Sequence, residues 1–310
     1  VGIVDSAAVG TDVRSAIPWA PPVPILVEVG AAEHLRPDAL FVGIAPPGGA
    51  LPPPMRRAVV DALRAGLDVV SGLHVYLADD PELAGLAQGS GARIFDLRRP
   101  PARRTLATGL ARTTRCRRVL TVGTDGNVGK MVAAWELAFA ARRRGLDAHF
   151  VATGQTGMML AGGGVAVDAV AADFAAGAVE DLVLAVADSD LCVVEGQGSL
   201  AHPGFSAVTL ALLHGCCPDA MILVHHAGRA HFRAVPHMRM PAPVQQCAAY
   251  EQMAALVHPA RVVGVALNPT GCSGRWVQDE KRRLAQELRV PVCDPLADGV
   301  EALLAAVLAG

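Results

Sequence analysis

Aromatic side chains are scarce, at 4% of 310 residues, and the 52% hydrophobic content rests instead on small and aliphatic residues. Such a composition builds a core by close helix–sheet packing rather than around large rings. No apolar run reaches the roughly 18 residues that a membrane span requires, so no membrane partner is expected. An excess of positive charge is also missing. The net charge is -2 at neutral pH, which gives no reason to expect nucleic acid or an anionic membrane as a partner. The seven cysteines, at 116, 192, 216, 217, 247, 272 and 293, contain no C-x-x-C pair. Neither a zinc ribbon nor a disulfide framework is indicated, and a reducing, cytoplasmic setting is the simplest reading. The chain opens at Val1 in strand-like sequence without a charged leader, so no secretory signal is expected.

What is present centres on Val119-Leu-Thr-Val-Gly-Thr-Asp-Gly-Asn-Val-Gly-Lys-Met131, followed by an alanine-rich helical pattern up to Gly145. An apolar strand, a glycine-containing loop and a helix in direct succession form the setting in which backbone amides converge on a phosphate. The predicted phosphate contacts are Gly123, Thr124, Asp125, Gly126, Asn127, Val128, Gly129, Lys130 and Met131. Two departures from G-x-x-x-x-G-K-[ST] stand out. Five residues separate Gly123 from Gly129, and Met131 stands where a magnesium-binding hydroxyl is usual. Asp125 and Glu195 follow successive candidate strands and in an NTPase would hold Mg²⁺. Without the hydroxyl that metal site loses a ligand, and no metal site is assigned.

Around this centre the chain reads as two α/β domains. Residues 1–97 alternate strands (1–4, 25–29, 40–44, 69–71, 93–95) with a helix near 54–66, predicting a small parallel sheet of Rossmann type. The stretch lacks G-x-G-x-x-G, so a dinucleotide site has little support. Ala45-Pro-Pro-Gly-Gly49 and Ser71-Gly-Leu-His74 follow strands and read as either ligand loops or plain turns. Residues 98–118 carry eight arginines and no acids, which predicts a solvated linker; a sharper alternative has one or two arginines meeting cofactor phosphates. From 119 to 310 the alternation restarts, with strands at 119–122, 148–152, 191–194, 220–224 and 262–267, predicting a doubly wound parallel sheet of P-loop NTPase type. Residues 226–243, rich in His, Arg, Met and Pro, have no period. The histidines at 225, 226, 231 and 237 fit no compact zinc site.

The spacing Gly123-Thr-Asp-x-x-Val-Gly-Lys130 resembles the P-loop of dethiobiotin synthetase, as does Val193-Val-Glu-Gly-Gln-Gly198. A wider resemblance covers nearly the whole chain. Val151–Gly157, Val167–Glu180, Glu195–Pro203 and Val208–Gly215, with 45–49 and 71–74, resemble the D-glutamate N-acetyltransferase family, long described as a domain of unknown function. That resemblance implies an acyltransferase carrying an acetyl group from acetyl-CoA to the amine of a D-amino acid, most simply D-glutamate. It also implies Met after the loop lysine and often Thr next, where this chain has Val132. The alternative is an ATP/Mg-dependent ligase or kinase of dethiobiotin-synthetase type. The expected partner is thus a small-molecule amino acid, with room for a homo-oligomer.

Acetyl transfer needs a neutral amine, a stabilised oxyanion and a grip on the acceptor's carboxylates. Glu195 and His202 flank one post-strand loop, so either can act as base, with His202 also a candidate oxyanion donor. Arg229, after the next strand, is the expected carboxylate clamp. Together they form the predicted catalytic set.

Overall fold

The computed structural model describes all residues except 9–11, 18–19, 45–48, 50 and 310, and it divides into two compact units, Val1–Arg99 and Pro100–Gly310. In the first unit β1 (Ile3–Val4) pairs in parallel with β2 (Ile25–Leu26). A separate parallel sheet runs β3 (Ala39–Val42), β4 (Asp68–Ser71), β5 (Ile94–Asp96), with helices α1 (Pro53–Arg64) and α2 (Pro81–Ser90) in the connections. Val59, Leu63, Val69, Leu73 and Leu83 are sealed in its core. The α2 helix escaped the periodicity reading because Gly85 and Gly89 dilute its pattern. Its start was signalled by Asp80-Pro81: Asp80 Oδ1 accepts the amides of Glu82 (3.0 Å) and Leu83 (3.2 Å), with Pro81 in the first turn. The loop Ala45–Gly49 lies almost wholly outside the described residues. Ser71 Oγ accepts the Leu73 amide at 3.3 Å, which is turn geometry.

The second unit holds β6 (Arg117–Gly123), α3 (Lys130–Arg143), β7 (Ala148–Val151), α4 (Gln155–Ala161), α5 (Ala172–Leu184), β8 (Leu191–Val194), α6 (Ser206–Cys216), β9 (Ala220–His226), α7 (Pro243–Ala255), β10 (Arg261–Asn268), α8 (Gly274–Leu288), β11 (Val292–Cys293) and α9 (Glu301–Ala309). Its six strands are all parallel in the order β11-β10-β9-β6-β8-β7. The strands are apolar on both faces because helices cover both. Val119, Val193 and Ile222 point to α3 and α9, while Leu120, Val194 and Leu223 pack with residues of α5, α6, α7 and α8. Alanines at 133, 134, 138, 140 and 141 let α3 lie close to the sheet.

The stretch 98–118 is exposed over much of its length but anchored to the second unit at two points. Glu180 Oε2 accepts the Thr108 amide (2.7 Å) and hydroxyl (2.9 Å), fastening this stretch to α5. Arg118, 3% exposed, sits in β6 and pairs with Asp219 at 2.6 Å while donating to Cys217 O at 2.8 Å. Its charge serves the fold, not a cofactor. All seven cysteines are free thiols, six of them buried. Among the described residues no helix is long and apolar enough to cross a membrane.

Candidate active site

Strand order decides what can meet the phosphate loop. The chain leaves β6, places β7 at the sheet edge, returns with β8 beside β6, and only then crosses to β9 on the other side. The direction of winding therefore reverses at β6, where open α/β sheets bind ligands at the carboxyl ends of their strands. Glu195 follows β8 and Arg229 follows β9, so the two flank the loop after β6.

The loop is shaped for anion binding. Asn127 (φ 51°) and Gly129 (φ 105°) both occupy the left-handed region, which turns successive amides inward. Lys130 opens α3 and is one of only two lysines in the chain. It is buried, with Nζ donating to Asp125 O at 2.8 Å. Burial lowers it from 10.5 to about 8, against the opposing pull of Asp125 and Glu195. Two glycines make room for it. A Cβ on Gly123 would lie 2.8 Å from Lys130 Nζ, and one on Gly196 would lie 1.6 Å from Thr121 O and 3.1 Å from Lys130 Cδ.

Glu195 is 4% exposed. Burial raises it from 4.5 to about 7, although the amides of Thr153 and Gly154 favour its charged form. Those amides donate to Oε2 at 3.0 and 3.2 Å. Gly157 lies so close that a Cβ there would sit 2.3 Å from the same oxygen. Thr153 Oγ1 donates to Glu195 O at 2.6 Å and accepts from Gln197 Nε2 at 3.2 Å. A carboxyl group poised near neutrality beside a buried ammonium is a signature of proton-transfer sites.

Loop residues Gly126–Met131 line a cavity of about 530 Å³ together with Glu195–Gly198, Gly154–Thr156, Phe205, Val208 and Asn268. Gly123, Thr124 and Asp125 lie beneath it and shape the loop instead. Tyr250 OH donates to Gly123 O at 2.8 Å. Thr124 Oγ1 meets His225 Nδ1 at 3.0 Å, and burial lowers His225 from 6.5 to about 4, keeping it neutral. Asp125, 1% exposed, receives the Gly126 amide on Oδ1 (2.7 Å), and on Oδ2 the Arg233 amide (2.8 Å) and Arg229 Nη1 (3.1 Å). With both oxygens so engaged and a thioether at Met131, Asp125 is a brace rather than a magnesium ligand.

Two expected roles change. Arg229 is turned onto the loop: besides Asp125 it donates to Gly126 O (3.0 Å) and, more weakly, Asn127 O (3.4 Å). It holds the phosphate loop and does not reach for an acceptor. His202 lies outside the cavity lining and is 2% exposed. Its Nδ1 accepts the Gly204 amide at 3.1 Å, its buried Nε2 has no partner among the described residues, and its ring is stacked on Phe205 at 4.3 Å and edge-on to Phe232 at 5.1 Å. This burial by aromatic packing is invisible in the spacing. Of the predicted set only Glu195 reaches the cavity. The lining residues that sequence reasoning missed include Asp168, Phe205, Val208 and Asn268. Asn268 alone carried a signal, as a polar residue ending an apolar strand; its Nδ2 donates to Val128 O at 3.1 Å.

Comparison with known proteins agrees with this architecture. A family profile described as "Domain of unknown function (DUF1611_C) P-loop domain" matches residues 105–304, and the DUF1611_N Rossmann-like domain matches 6–100. A Pseudoalteromonas protein named D-glutamate N-acetyltransferase is 37% identical over 275 residues, covering 88% of this chain and 82% of the relative. A protein of the same name from Tritonibacter scottomollicae is 36% identical over 271 residues, covering 87% and 81%. The crystal structure of a DUF1611 family protein from Anabaena variabilis superposes with a TM-score of 0.95 at 41% identity, covering 100% of this chain and 91% of that one. The chain belongs to the DUF1611 family, a Rossmann-like domain followed by a P-loop domain, alongside relatives that bear the name D-glutamate N-acetyltransferase.

Proposed function

We propose that this protein transfers the acetyl group of acetyl-CoA to the amine of a D-amino acid, D-glutamate being the acceptor that the relatives' names specify. The observation that carries the reading is Glu195, buried and raised to about 7 in the same cavity as Lys130. An acyl acceptor arrives as an ammonium ion and must lose a proton before it attacks. Glu195 is ionised in a large fraction at neutral pH and can take that proton. When bound, acetyl-CoA supplies the electrophilic thioester carbon. The new C–N bond forms as the C–S bond breaks; of the two protons the ammonium loses on becoming an amide, Glu195 relays one to the departing thiolate and the other leaves to solvent.

The loop fits a diphosphate. Amides of Asn127–Gly129, the start of α3 and Lys130 together offer positive potential, and the Asp125 carboxylate is engaged by Arg229 and the Arg233 amide. The Mg-ATP ligase reading is weaker on the same grounds, since neither Asp125 nor Met131 offers a free hard ligand.

The test is release of the CoA thiol, followed by mass spectrometry of the product, with D-glutamate, L-glutamate and other D-amino acids as acceptors. N-acetylated D-glutamate is the expected product. No thiol release with any D-amino acid, together with amine-stimulated ATP consumption, would transfer the assignment to the ligase class.

A further inference from the structure

The cavity carries too little positive charge for the substrates proposed for it. Among the described residues that line it Lys130 is the one cation, while Glu195 and Asp168 are acids. Acetyl-CoA brings a diphosphate and, on the ribose beside it, a phosphomonoester that carries about −1.5 to −2 at pH ~7. Lys130 and the loop amides match the diphosphate alone. The second phosphate is left to find its counter-charge beyond the lining.

Residues 220–250 hold three arginines, four histidines and no acid. Within them the chain turns back on itself as a hairpin. Phe232 N donates to Met238 O (3.2 Å), Met240 N donates to Ala230 O (2.9 Å), and His231 forms an antiparallel bridge with Arg239. Phe232 and Met240 are buried and peg the hairpin down, whereas His231, Arg233 and Arg239 are exposed. Residues opposite each other in such a bridge put their side chains on one face, so His231 and Arg239 stand together. Arg233 is tied to the phosphate loop by its backbone, its amide donating to Asp125 Oδ2 at 2.8 Å. That contact uses no part of the guanidinium. Neither Arg233 nor Arg239 has an ion-pair partner among the described residues, in contrast to Arg229, which is committed to Asp125.

From this we infer that the 230–240 hairpin is a second anion subsite, in which Arg233 and Arg239 hold the ribose phosphomonoester of acetyl-CoA. The inference rests on the acyl-transfer reading. Two features select this anion over a carboxylate of the acceptor. The hairpin is fastened to Asp125, next to Gly126 of the loop that takes the diphosphate, and the phosphomonoester is joined to that diphosphate through a single ribose. The acceptor's amine has to lie at Glu195 instead, which follows β8, across β6 from the strand that leads into the hairpin. A guanidinium meets a phosphate with two parallel N–H donors, so each arginine can fix its position as well as its charge.

The experiment compares acetyl-CoA with acetyl-dephospho-CoA, which lacks only the ribose phosphate, by kcat/KM at saturating D-glutamate and by calorimetric Kd. The parent should prefer acetyl-CoA about tenfold or more. Arg233→Ala and Arg239→Ala should each narrow that preference through KM rather than kcat, and the double variant should bring it close to one. Arg233→Lys, which keeps the charge without the fork, should retain part of it. General damage to the loop slows both donors alike, so a preference that survives the double variant overturns the inference. A parent that does not distinguish the donors overturns it as well. If the variants raise the KM for D-glutamate more than for a D-amino acid with one carboxylate, and leave the donor preference intact, the hairpin holds the acceptor and the inference is wrong. In these three cases the transferase reading stands. If the parent transfers no acyl group from any thioester, both readings fall.

Discussion

The pH dependence of turnover tests Glu195 and Lys130 together. The productive enzyme needs Glu195 ionised, to accept a proton, and Lys130 protonated, to hold an anion. Burial sets the first at about 7 and the second at about 8. With the carboxyl titrating below the ammonium, the productive form peaks between the two values and declines on both sides. The kcat/KM for acetyl-CoA should follow a bell, falling about tenfold per pH unit well outside either limb. The acceptor's ammonium titrates too, but its contribution cancels in the ratio of parent to Glu195→Gln. That variant should lose about 10²–10⁴ in rate, together with the acid limb. A parent-to-variant ratio that stays flat across the acid limb would refute the assignment of Glu195 as base.

The same raised value has a consequence for stability. At pH ~4 the carboxyl is largely protonated whether the chain is folded or not, and little is at stake. Between 4.5 and about 7 the unfolded chain ionises while the folded one keeps its proton, so stability falls as pH rises. Above that window the deficit levels off at about 3 kcal/mol. Glu195→Gln removes the deficit, and its amide oxygen can still accept from Thr153 and Gly154. The variant should therefore melt higher than the parent at pH ~8 and alike at pH ~4, a pattern that loss of a structural carboxylate would invert.

Lys130→Ala should weaken acetyl-CoA binding roughly tenfold to a hundredfold by calorimetry, with the circular dichroism spectrum unchanged. Arg229→Ala leaves the Asp125 carboxylate buried beside an uncompensated loop, so stability should drop by about 3–5 kcal/mol in denaturant titration; a raised acceptor KM with unchanged stability would instead restore the clamp role. Gly196→Ala drives a Cβ to 1.6 Å from Thr121 O and should abolish turnover through loss of the loop geometry, read as loss of cofactor binding. Acyl transfer should persist in EDTA with negligible ATP hydrolysis, since the two residues best placed to bind magnesium are a braced carboxylate and a thioether. Robust Mg²⁺-dependent hydrolysis would reverse the ranking of the two enzyme classes.

The phosphate loop was legible because its requirements are local: a strand, left-handed turns at set positions, and a helix whose first residue is Lys130. The place of Glu195 beside the loop was legible because it follows a strand. The misreadings at Arg229, His202 and Arg118 concern direction, which no spacing encodes. Arg118 belongs by composition to an arginine-rich run, yet Asp219, 101 residues away, turns it into the core. β11, at two residues, is too short to show any period.

Sequence order also hides why Asp125 differs from the magnesium-binding acid it resembled. Residues 226–241 follow β9, the strand that pairs with β6 on the side opposite β8, so this segment emerges directly over the loop. From there Arg229 and the Arg233 amide both close on Asp125 Oδ2. A carboxylate satisfied in this way has little left for a hard cation, whereas a loop braced in this way holds its amides ready for an anion. Loss of the hydroxyl at Met131 and recruitment of Arg229 by Asp125 are thus two sides of one arrangement. On the proposed acyl-transfer reading, Asp125 gives the loop rigidity, and Glu195, on the other side of β6, is the group left to exchange a proton with the ligand.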